Sequence, residues 1–162
     1  VFQGAKLHTD IVMHRETKTL VAMLEQDLPA DGTIMTQSYS FASLLTYHGN
    51  RYVPVFGGGS FHARFDDNIT DFHAFAGKTI RIVSTRRIDP ASLVPYFSSV
   101  NVTERTLDGA RFWVADGHGF RFEPYHEQVL KSVAENYYRL PAFLPLKGCR
   151  FMEQYGFERK NR

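Results

Sequence analysis

The sequence has 162 residues, of which 43% are hydrophobic and 22% are charged, and its net charge is +2. This balance is typical of a globular domain and excludes a disordered chain, and the weak, dispersed positive charge argues against a nucleic-acid partner. The single cysteine excludes an intrachain disulfide and a cysteine-based zinc site. We predict one soluble domain over residues 1–162, with a lead-in over 1–16 and a basic tail over 158–162.

The hydrophobic pattern predicts helices that separate strands early in the chain and a hairpin later. Pro29 ends the first helix, Ser38 can cap a second, and Pro54 indicates an irregular or edge strand. Asp108-Gly109 is a strong signal for a two-residue hairpin turn. The predicted elements are a helix over 17–28, a strand over 33–36, a helix over 39–48, a strand over 51–56, a short helix within 69–75, a strand over 78–84, a helix over 91–97, strands over 100–107 and 110–115, and a helix over 125–139.

This order of elements is typical of an α/β fold. We predict a three-layer sandwich built on a mainly parallel sheet, with an antiparallel hairpin at the edge. Aromatic residues make up 14% of the chain. They predict a core rich in large rings, and a surface that stacks on a ligand or meets a membrane is the alternative.

The segment Gly57-Gly58-Gly59-Ser60 follows a predicted strand, the position of many phosphate-binding loops. It matches neither of the two glycine-rich phosphate motifs, and no helix pattern begins directly behind it. A flexible turn is therefore the preferred interpretation.

Polar residues that follow this turn have the chemistry of metal ligands, but their spacing is not that of a known metal motif. We interpret them as an exposed polar loop and predict no metal. His118 lies between two glycines and has no nucleophile nearby, so a turn is preferred there. Cys149 has apolar neighbours and is interpreted as a small buried hydrophobe. The residues of the polar loop are His62, Asp66, Asp67, Asp71 and His73.

Several segments, taken in order, resemble one protein family. The first is GTIMTQSYSFASLLTYH, from Gly32 to His48, a strand followed by a tyrosine-headed helix. A strand and glycine turn come next, then an aspartate-rich loop and FAGKTIRIVS, which ends at Ser84. The close begins with YHEQVL and ends with YYRLPAFLPLKGCRFMEQYGF at Phe157. Over 5–157 this order resembles the C-terminal soluble domain of bacterial polytopic glycosyltransferases, which are similar to dolichyl-phosphate-mannose protein mannosyltransferases and lipid A aminoarabinose transferases.

The resemblance implies an enzyme that passes a sugar from a polyprenyl-phosphate donor to a lipid, glycan or protein acceptor outside the cytoplasm. In that family the catalytic acidic residue belongs to a loop between early membrane helices, and no part of this sequence corresponds to that loop. The resemblance therefore implies an accessory domain on the periplasmic face of the inner membrane, which is not catalytic alone. Its expected partners are the membrane domain of the same polypeptide and a lipid-linked sugar or acceptor, and no cofactor is expected.

If a face of the domain binds a ligand, we expect it at the carboxyl ends of the first two predicted strands, where open α/β sheets bind ligands. Two other classes of function stay open. One is a free-standing α/β ligand-binding or assembly module, and the weaker one is a small hydrolase that uses His118 and Asp116. The residues predicted for the binding face are Gln37, Ser38, Tyr39, Gly57, Gly58, Gly59 and His62.

Overall fold

The computed structural model describes residues 6–59, 61–138 and 148–157. At its centre is a four-stranded mixed sheet with the strand order β1-β2-β4-β3. Strands β1 and β2 are parallel, and β4 is antiparallel to both of its neighbours. The predicted α/β class is therefore confirmed. The strands are β1 (Thr33–Thr36), β2 (Ile80–Ser84), β3 (Ser99–Leu107) and β4 (Ala110–His118).

The prediction of a mainly parallel sheet is wrong, because two of the three strand pairings are antiparallel. The segment 51–56, predicted as a second strand, makes only one bridge, between Val55 and Thr36. Pro54 has no N–H to donate to a neighbouring strand. Its carbonyl accepts a hydrogen bond from the Thr36 N–H at 3.2 Å. The predicted hairpin lies at the edge of the sheet, with β3 outermost.

The hairpin turn has the backbone that its sequence predicts. Asp108 and Gly109 both have positive φ, at 47° and 75°. Two central residues of this kind match the right-handed twist of the strands they join. Strand β4 is longer than predicted and runs through His118. The turn expected at His118 therefore begins only at Gly119, which has a positive φ of 63°.

In the described ranges, helices α1 and α2 precede β1, α3 follows it, and α4, α5 and α6 come after β4. Helix α1 falls within the predicted lead-in, for which no helix was predicted. The predicted helix over 91–97 is replaced by two 3-10 turns, because Pro95 cannot donate a helical hydrogen bond. The helices are α1 (Lys6–Arg15), α2 (Thr17–Glu25), α3 (Tyr39–Gly49), α4 (Phe122–Tyr125), a π turn (His126–Leu130), α5 (Lys131–Tyr137) and α6 (Arg150–Gln154), with 3-10 helices Phe61–Asn68, Phe72–Phe75, Pro90–Ser92 and Val94–Tyr96.

Alternate residues of the strands contribute to two separate hydrophobic clusters. Val83 and Val114 belong to the cluster that includes the buried side chains of α1, α2 and α3. Ile82 and Ala115, their neighbours in the chain, belong to the cluster that includes side chains of α4, α5 and α6. Both clusters thus use the sheet, and the period-two pattern of the strands decides which side chain enters which cluster.

A buried ion pair joins the sheet to α2. The Arg81 guanidinium is 4% exposed and makes two bonds to Asp116, of 2.6 and 2.9 Å. Its Nη1 donates to the carbonyls of Leu24 and Gln26, both at 2.8 Å. These carbonyls are at the end of α2, where no further helical N–H is present to bond them. Arg81 therefore satisfies the helix end and is itself neutralised by Asp116.

Candidate functional site

The glycine turn over residues 57–59 follows the single bridge to β1 and is held from beneath by two side chains. The Gly57 N–H donates to the Tyr125 hydroxyl at 2.8 Å, and the Gly58 carbonyl accepts from Arg64 Nη2 at 2.9 Å. Gly57 and Gly59 have positive φ, which glycine adopts at little cost. The Gly57 N–H is already bonded to Tyr125, so this amide is not available to a phosphate.

A cluster of buried carboxylates lies under this turn, and we call it the carboxylate cluster. Its members are Tyr52, Arg64, Asp66, Asp67 and Tyr138. Asp66 is 5% exposed and accepts hydrogen bonds from the Tyr52 hydroxyl and from the Val55 N–H. Asp67 accepts from the Tyr138 hydroxyl at 2.7 Å. The prediction of an exposed, solvated loop is thus wrong for these two aspartates, because their side chains turn into the protein and meet tyrosine hydroxyls.

Burial shifts the proton affinity of every acid in the carboxylate cluster. Burial raises the pKa of Asp67 to about 6, against the opposing effects of the Tyr138 hydrogen bond and of Arg64. Burial also raises the pKa of Asp66 above its ordinary value. The pKa values of Tyr52 and Tyr138 are raised by burial and by their aspartate partners. Both tyrosines therefore keep their protons near neutral pH and act as hydrogen-bond donors to the carboxylates.

Arg64 is the cation of the carboxylate cluster. Its Nη1 lies 2.8 Å from Asp67 Oδ2, and its guanidinium lies 4.3 Å from the centroid of the Tyr137 ring. Among the described residues, its buried Nε and Nη1 have no acceptor in line with their N–H bonds. The contact with Asp67 is accordingly an attraction between charges more than a formed hydrogen bond. This incomplete bonding is consistent with the raised pKa of Asp67.

Aromatic and apolar side chains are exposed around the carboxylate cluster, and we call them the aromatic surface: Tyr39, Tyr52, Phe65 and Ile69. Phe65 and Tyr39 are 65% and 37% exposed. Phe65 and Ile69 flank the two buried aspartates in sequence, and the Tyr39 hydroxyl is close enough to Tyr52 to contribute to its raised pKa. Exposed rings on a rigid base are suited to contact sugar rings, lipid or another apolar surface.

Residues 37–39 and 57–59 of the predicted binding face follow the bridged residues Thr36 and Val55, and they differ in their roles. Gln37, Ser38 and Tyr39 are all exposed at the start of α3. The Ser38 side chain makes no capping hydrogen bond, contrary to the prediction, and its N–H donates to Thr36 Oγ1 at 3.3 Å. The glycine turn joins this surface through Arg64. The side chain of His62 lies outside the described part of the chain.

Among the side chains that the structure describes, the alternative sites considered from the sequence are not assembled. In residues 6–59, 61–138 and 148–157, no group of three or more histidine, cysteine, aspartate or glutamate side chains is placed to hold a metal ion. Asp71 and His73 bond each other, Oδ1 to Nδ1 at 2.8 Å, at the start of a 3-10 helix. Asp116 is engaged by Arg81, and His118 Nδ1 faces Thr79 Oγ1 at 3.2 Å, so these two residues do not form a dyad.

Cys149 is half-buried and packs at the margin of the cluster that includes Phe151. This is close to the predicted environment, although the sulfur is less enclosed than expected. Tyr125, Phe97, Phe112 and Phe151 are among the largest fully buried side chains. The ring-rich core predicted from the composition is therefore confirmed, and it coexists with the exposed rings of the aromatic surface.

Sequence reasoning missed the carboxylate cluster. Asp66 and Asp67 were weighed only as metal ligands or solvated residues, and Tyr52 was assigned to a strand. The available signal was the immediate neighbourhood of the aspartates, in which Phe65 and Ile69 flank the acids. In the structure Asp66 is enclosed while Phe65 and Ile69 are exposed, so this neighbourhood indicates a packed segment but not which of its side chains are buried.

Comparison of the chain with protein-family models, curated proteins and solved structures found no match. Across the described ranges, no helix combines the length and the apolar composition that crossing a bilayer requires.

Proposed function

We propose that this chain is the extracytoplasmic accessory domain of a membrane glycosyltransferase that moves a sugar from a polyprenyl-phosphate donor to a lipid, glycan or protein acceptor. The observation that carries the proposal is the aromatic surface, in which the exposed rings of Tyr39 and Phe65 accompany Tyr52, whose hydroxyl is bonded to the buried Asp66. Tyrosine side chains offer an apolar ring and a hydroxyl at low entropic cost, which suits both sugar and apolar partners. The resemblance of the sequence to such domains adds support.

In this proposal the domain covers the active cleft of its own membrane domain and does not catalyse alone. The carboxylate cluster serves as a rigid base, because each of its tyrosine hydroxyls is bound to a carboxylate. Ordering mobile side chains on binding costs free energy, so a surface whose side chains are already held in place loses less affinity to this cost. The enzyme would lie in the inner membrane, with this domain on the periplasmic side.

The proposal also includes a three-layer sandwich fold, with helices on both faces of the sheet. The two hydrophobic clusters support this arrangement, because both contain strand residues but each contains the side chains of a different set of helices. Coverage of both faces leaves the sheet edge and the loops beyond the strand ends as the surfaces free to meet a partner.

The first experiment measures the native product with an antibody raised against this chain. We expect a polypeptide several times larger than the 18.6 kDa of this sequence, and we expect it to resist extraction by high salt and carbonate. A soluble product near 18.6 kDa would overturn the proposal and would favour the free-standing binding or assembly module.

The second experiment tests the predicted face in the full-length enzyme. The double variant Tyr39→Ala, His62→Ala should lower the rate of sugar transfer while the enzyme is expressed and inserted normally. Tyr47→Ala is the matched control, since Tyr47 is an 82% exposed tyrosine on the same helix. Equal transfer by the double variant and the control would remove these residues from the binding face.

A further inference from the structure

A concave region lies at the carboxyl end of β2, and its lining residues do not include any member of the carboxylate cluster. It is a half-enclosed cavity of about 440 Å³. Its wall is formed by the residues that leave β2, by the start of β4 and by one side of α1. Pockets of this size hold small organic ligands. The side chains that matter for its chemistry are Asp10, Thr85, Arg86, Arg87, Arg111 and Trp113.

The position of this cavity is the one that α/β sheets favour for ligands. Because β1 and β2 are parallel, their carboxyl ends share an edge. Ser84 is the last residue of β2 and pairs with Trp113 of β4, so the hairpin end of β4 extends beyond the strand and forms a wall. The Arg86 N–H donates to Ser84 Oγ at 3.0 Å, which fixes the chain as it leaves the strand.

The charge of the cavity is strongly positive. Three arginines line it, against one aspartate. Within the described part of the chain, Arg86, Arg87 and Arg111 form no ion pair with a carboxylate. The acid of the neighbouring hairpin turn, Asp108, is already paired with Arg15 at 2.8 Å. The cavity therefore presents uncompensated cations to an anion.

Trp113 supplies the apolar part of this cavity. The Arg87 guanidinium lies 5.7 Å from the centroid of the Trp113 ring, a cation–π contact that restrains the guanidinium. Arginine is weakly hydrated and offers a planar fork that fits phosphate oxygens in a bidentate manner. A tryptophan face beside such a fork suits the ring of a sugar or base attached to the phosphate.

We propose that this cavity binds a phosphate ester or pyrophosphate, with the phosphate held by Arg86 and Arg111 and an attached ring placed against Trp113. The ligand could be a soluble phosphate ester or the head group of a phospholipid, which present the same chemistry. The inference goes beyond the proposed accessory role and does not depend on it, because binding is measured on this chain alone.

The test uses the 162-residue chain and its only tryptophan. Inorganic pyrophosphate and glucose 1-phosphate are titrated at constant ionic strength while Trp113 fluorescence is recorded, and equilibrium dialysis with radiolabelled pyrophosphate provides a second readout. Vesicles of phosphatidylcholine with and without phosphatidic acid form the lipid arm. We expect saturable binding in the soluble arm, in the lipid arm or in both, and the arm that responds identifies the source of the phosphate.

The variants Arg86→Ala and Arg111→Ala should each weaken this binding roughly tenfold, because each removes a charge-assisted hydrogen bond. Arg121→Ala is the matched control, since Arg121 is an exposed arginine that lines a different surface depression. Each of three results would overturn the proposal. The first is that no saturable binding is detected by fluorescence, by dialysis or with vesicles, and the second is that chloride produces the same fluorescence change as the phosphate ligands. The third is that Arg86→Ala, Arg111→Ala and the control Arg121→Ala lose the same affinity.

Discussion

Arg81 and Arg64 are both largely enclosed by the protein, but they differ in how fully their hydrogen bonds are satisfied. Arg81 has two bonds to Asp116 and two to helix carbonyls. Arg64 lies beside the Asp67 carboxylate and the Tyr137 ring, and it donates one hydrogen bond to the Gly58 carbonyl. Among the described residues, its Nε and Nη1 have no aligned acceptor. Since a buried ion pair gains little unless its hydrogen bonds are complete, Arg81 is the better-supported structural pair.

A single glycine in the middle of the sheet should be sensitive to the smallest added side chain. A Cβ on Gly117 would lie 2.6 Å from two carbons of the Phe97 ring. Phe97 is 1% exposed and stacks on Phe56 with 5.8 Å between ring centroids, so it has little room to move. We expect Gly117→Ala to lower the free energy of unfolding by about 1–3 kcal/mol in urea denaturation, as overpacked cores do.

The control for this substitution is Gly58→Ala. A Cβ at Gly58 meets no atom within 4 Å, so the same chemical change should leave stability within about 0.5 kcal/mol of the wild type. The double variant Gly117→Ala, Phe97→Leu should recover part of the loss if the clash is the cause. Equal destabilisation by Gly117→Ala and Gly58→Ala would contradict the argument from packing.

At the scale of elements, the closing helix α6 is tied to the polar segment that carries Asp66 and Asp67. The hydroxyl of Tyr155, just beyond α6, accepts from the Phe72 N–H at 3.1 Å and donates to the Thr70 carbonyl at 3.2 Å. Burial raises the pKa of Tyr155 to about 12, so the hydroxyl stays protonated. One side chain therefore satisfies a buried N–H and a buried carbonyl from another element.

Tyr155→Phe should loosen this junction without removing the ring. The substitution leaves the Phe72 N–H without its acceptor, which costs about 1–3 kcal/mol. The Thr70 carbonyl loses one of two donors and keeps the bond from Gln154 Nε2 at 3.2 Å. We expect that loss in chemical denaturation, together with faster hydrogen exchange at the Phe72 amide. Tyr47→Phe removes a hydroxyl from an 82% exposed ring and should change neither quantity. An unchanged Phe72 exchange rate in Tyr155→Phe would show that the junction does not depend on this hydroxyl.

The sequence pattern was most reliable where local chemistry decides the structure. The helix of α2 follows from a stripe that includes Leu20 and Leu24, and the hairpin follows from Asp108-Gly109. It failed where a distant partner decides. Segment 51–56 has the composition of a strand, but it makes one bridge. Pro54 has no N–H to donate, and the N–H groups of Val53 and Val55 bond to the side chains of Thr46 and Asp66 instead.

The candidate sites show the same limit. The predicted face at the ends of the first strands rests on topology alone, and it stays a prediction. The carboxylate cluster could not be predicted, because it needs Tyr138 to reach Asp67 across 71 residues of chain. The three arginines of the cavity at the carboxyl end of β2 are likewise brought together by the register of β2 with β4, which the sequence does not display.

For the whole molecule, the carboxylate cluster should make stability depend on pH. Desolvation raises the Asp67 pKa from an ordinary 3.8 to about 6, even though Arg64 is near, so burial outweighs the charge attraction. A folded-state pKa above the unfolded value means that the folded chain holds this proton more tightly. The contribution to stability is therefore present below pH 3.8 and is lost as the pH rises through about 6.

The measurement is the difference in unfolding free energy between the wild type and Asp67→Asn across this pH range. Because one pKa unit corresponds to about 1.4 kcal/mol, the wild type should lose up to about 3 kcal/mol relative to the variant as the pH rises from about 4 to about 7. The asparagine still accepts from Tyr138 but cannot ionise. Asp66 is unchanged in both proteins, so its own pH dependence largely cancels in the difference.

Asp31→Asn is the matched control, since Asp31 is an exposed aspartate in the turn before β1. Its curve should run parallel to that of the wild type over the whole range. If Asp67→Asn also ran parallel, the ionised Asp67 would have to be as well solvated in the folded chain as in the unfolded chain. The carboxylate cluster would then be open to water, and it could not serve as the dry, rigid base that the aromatic surface requires.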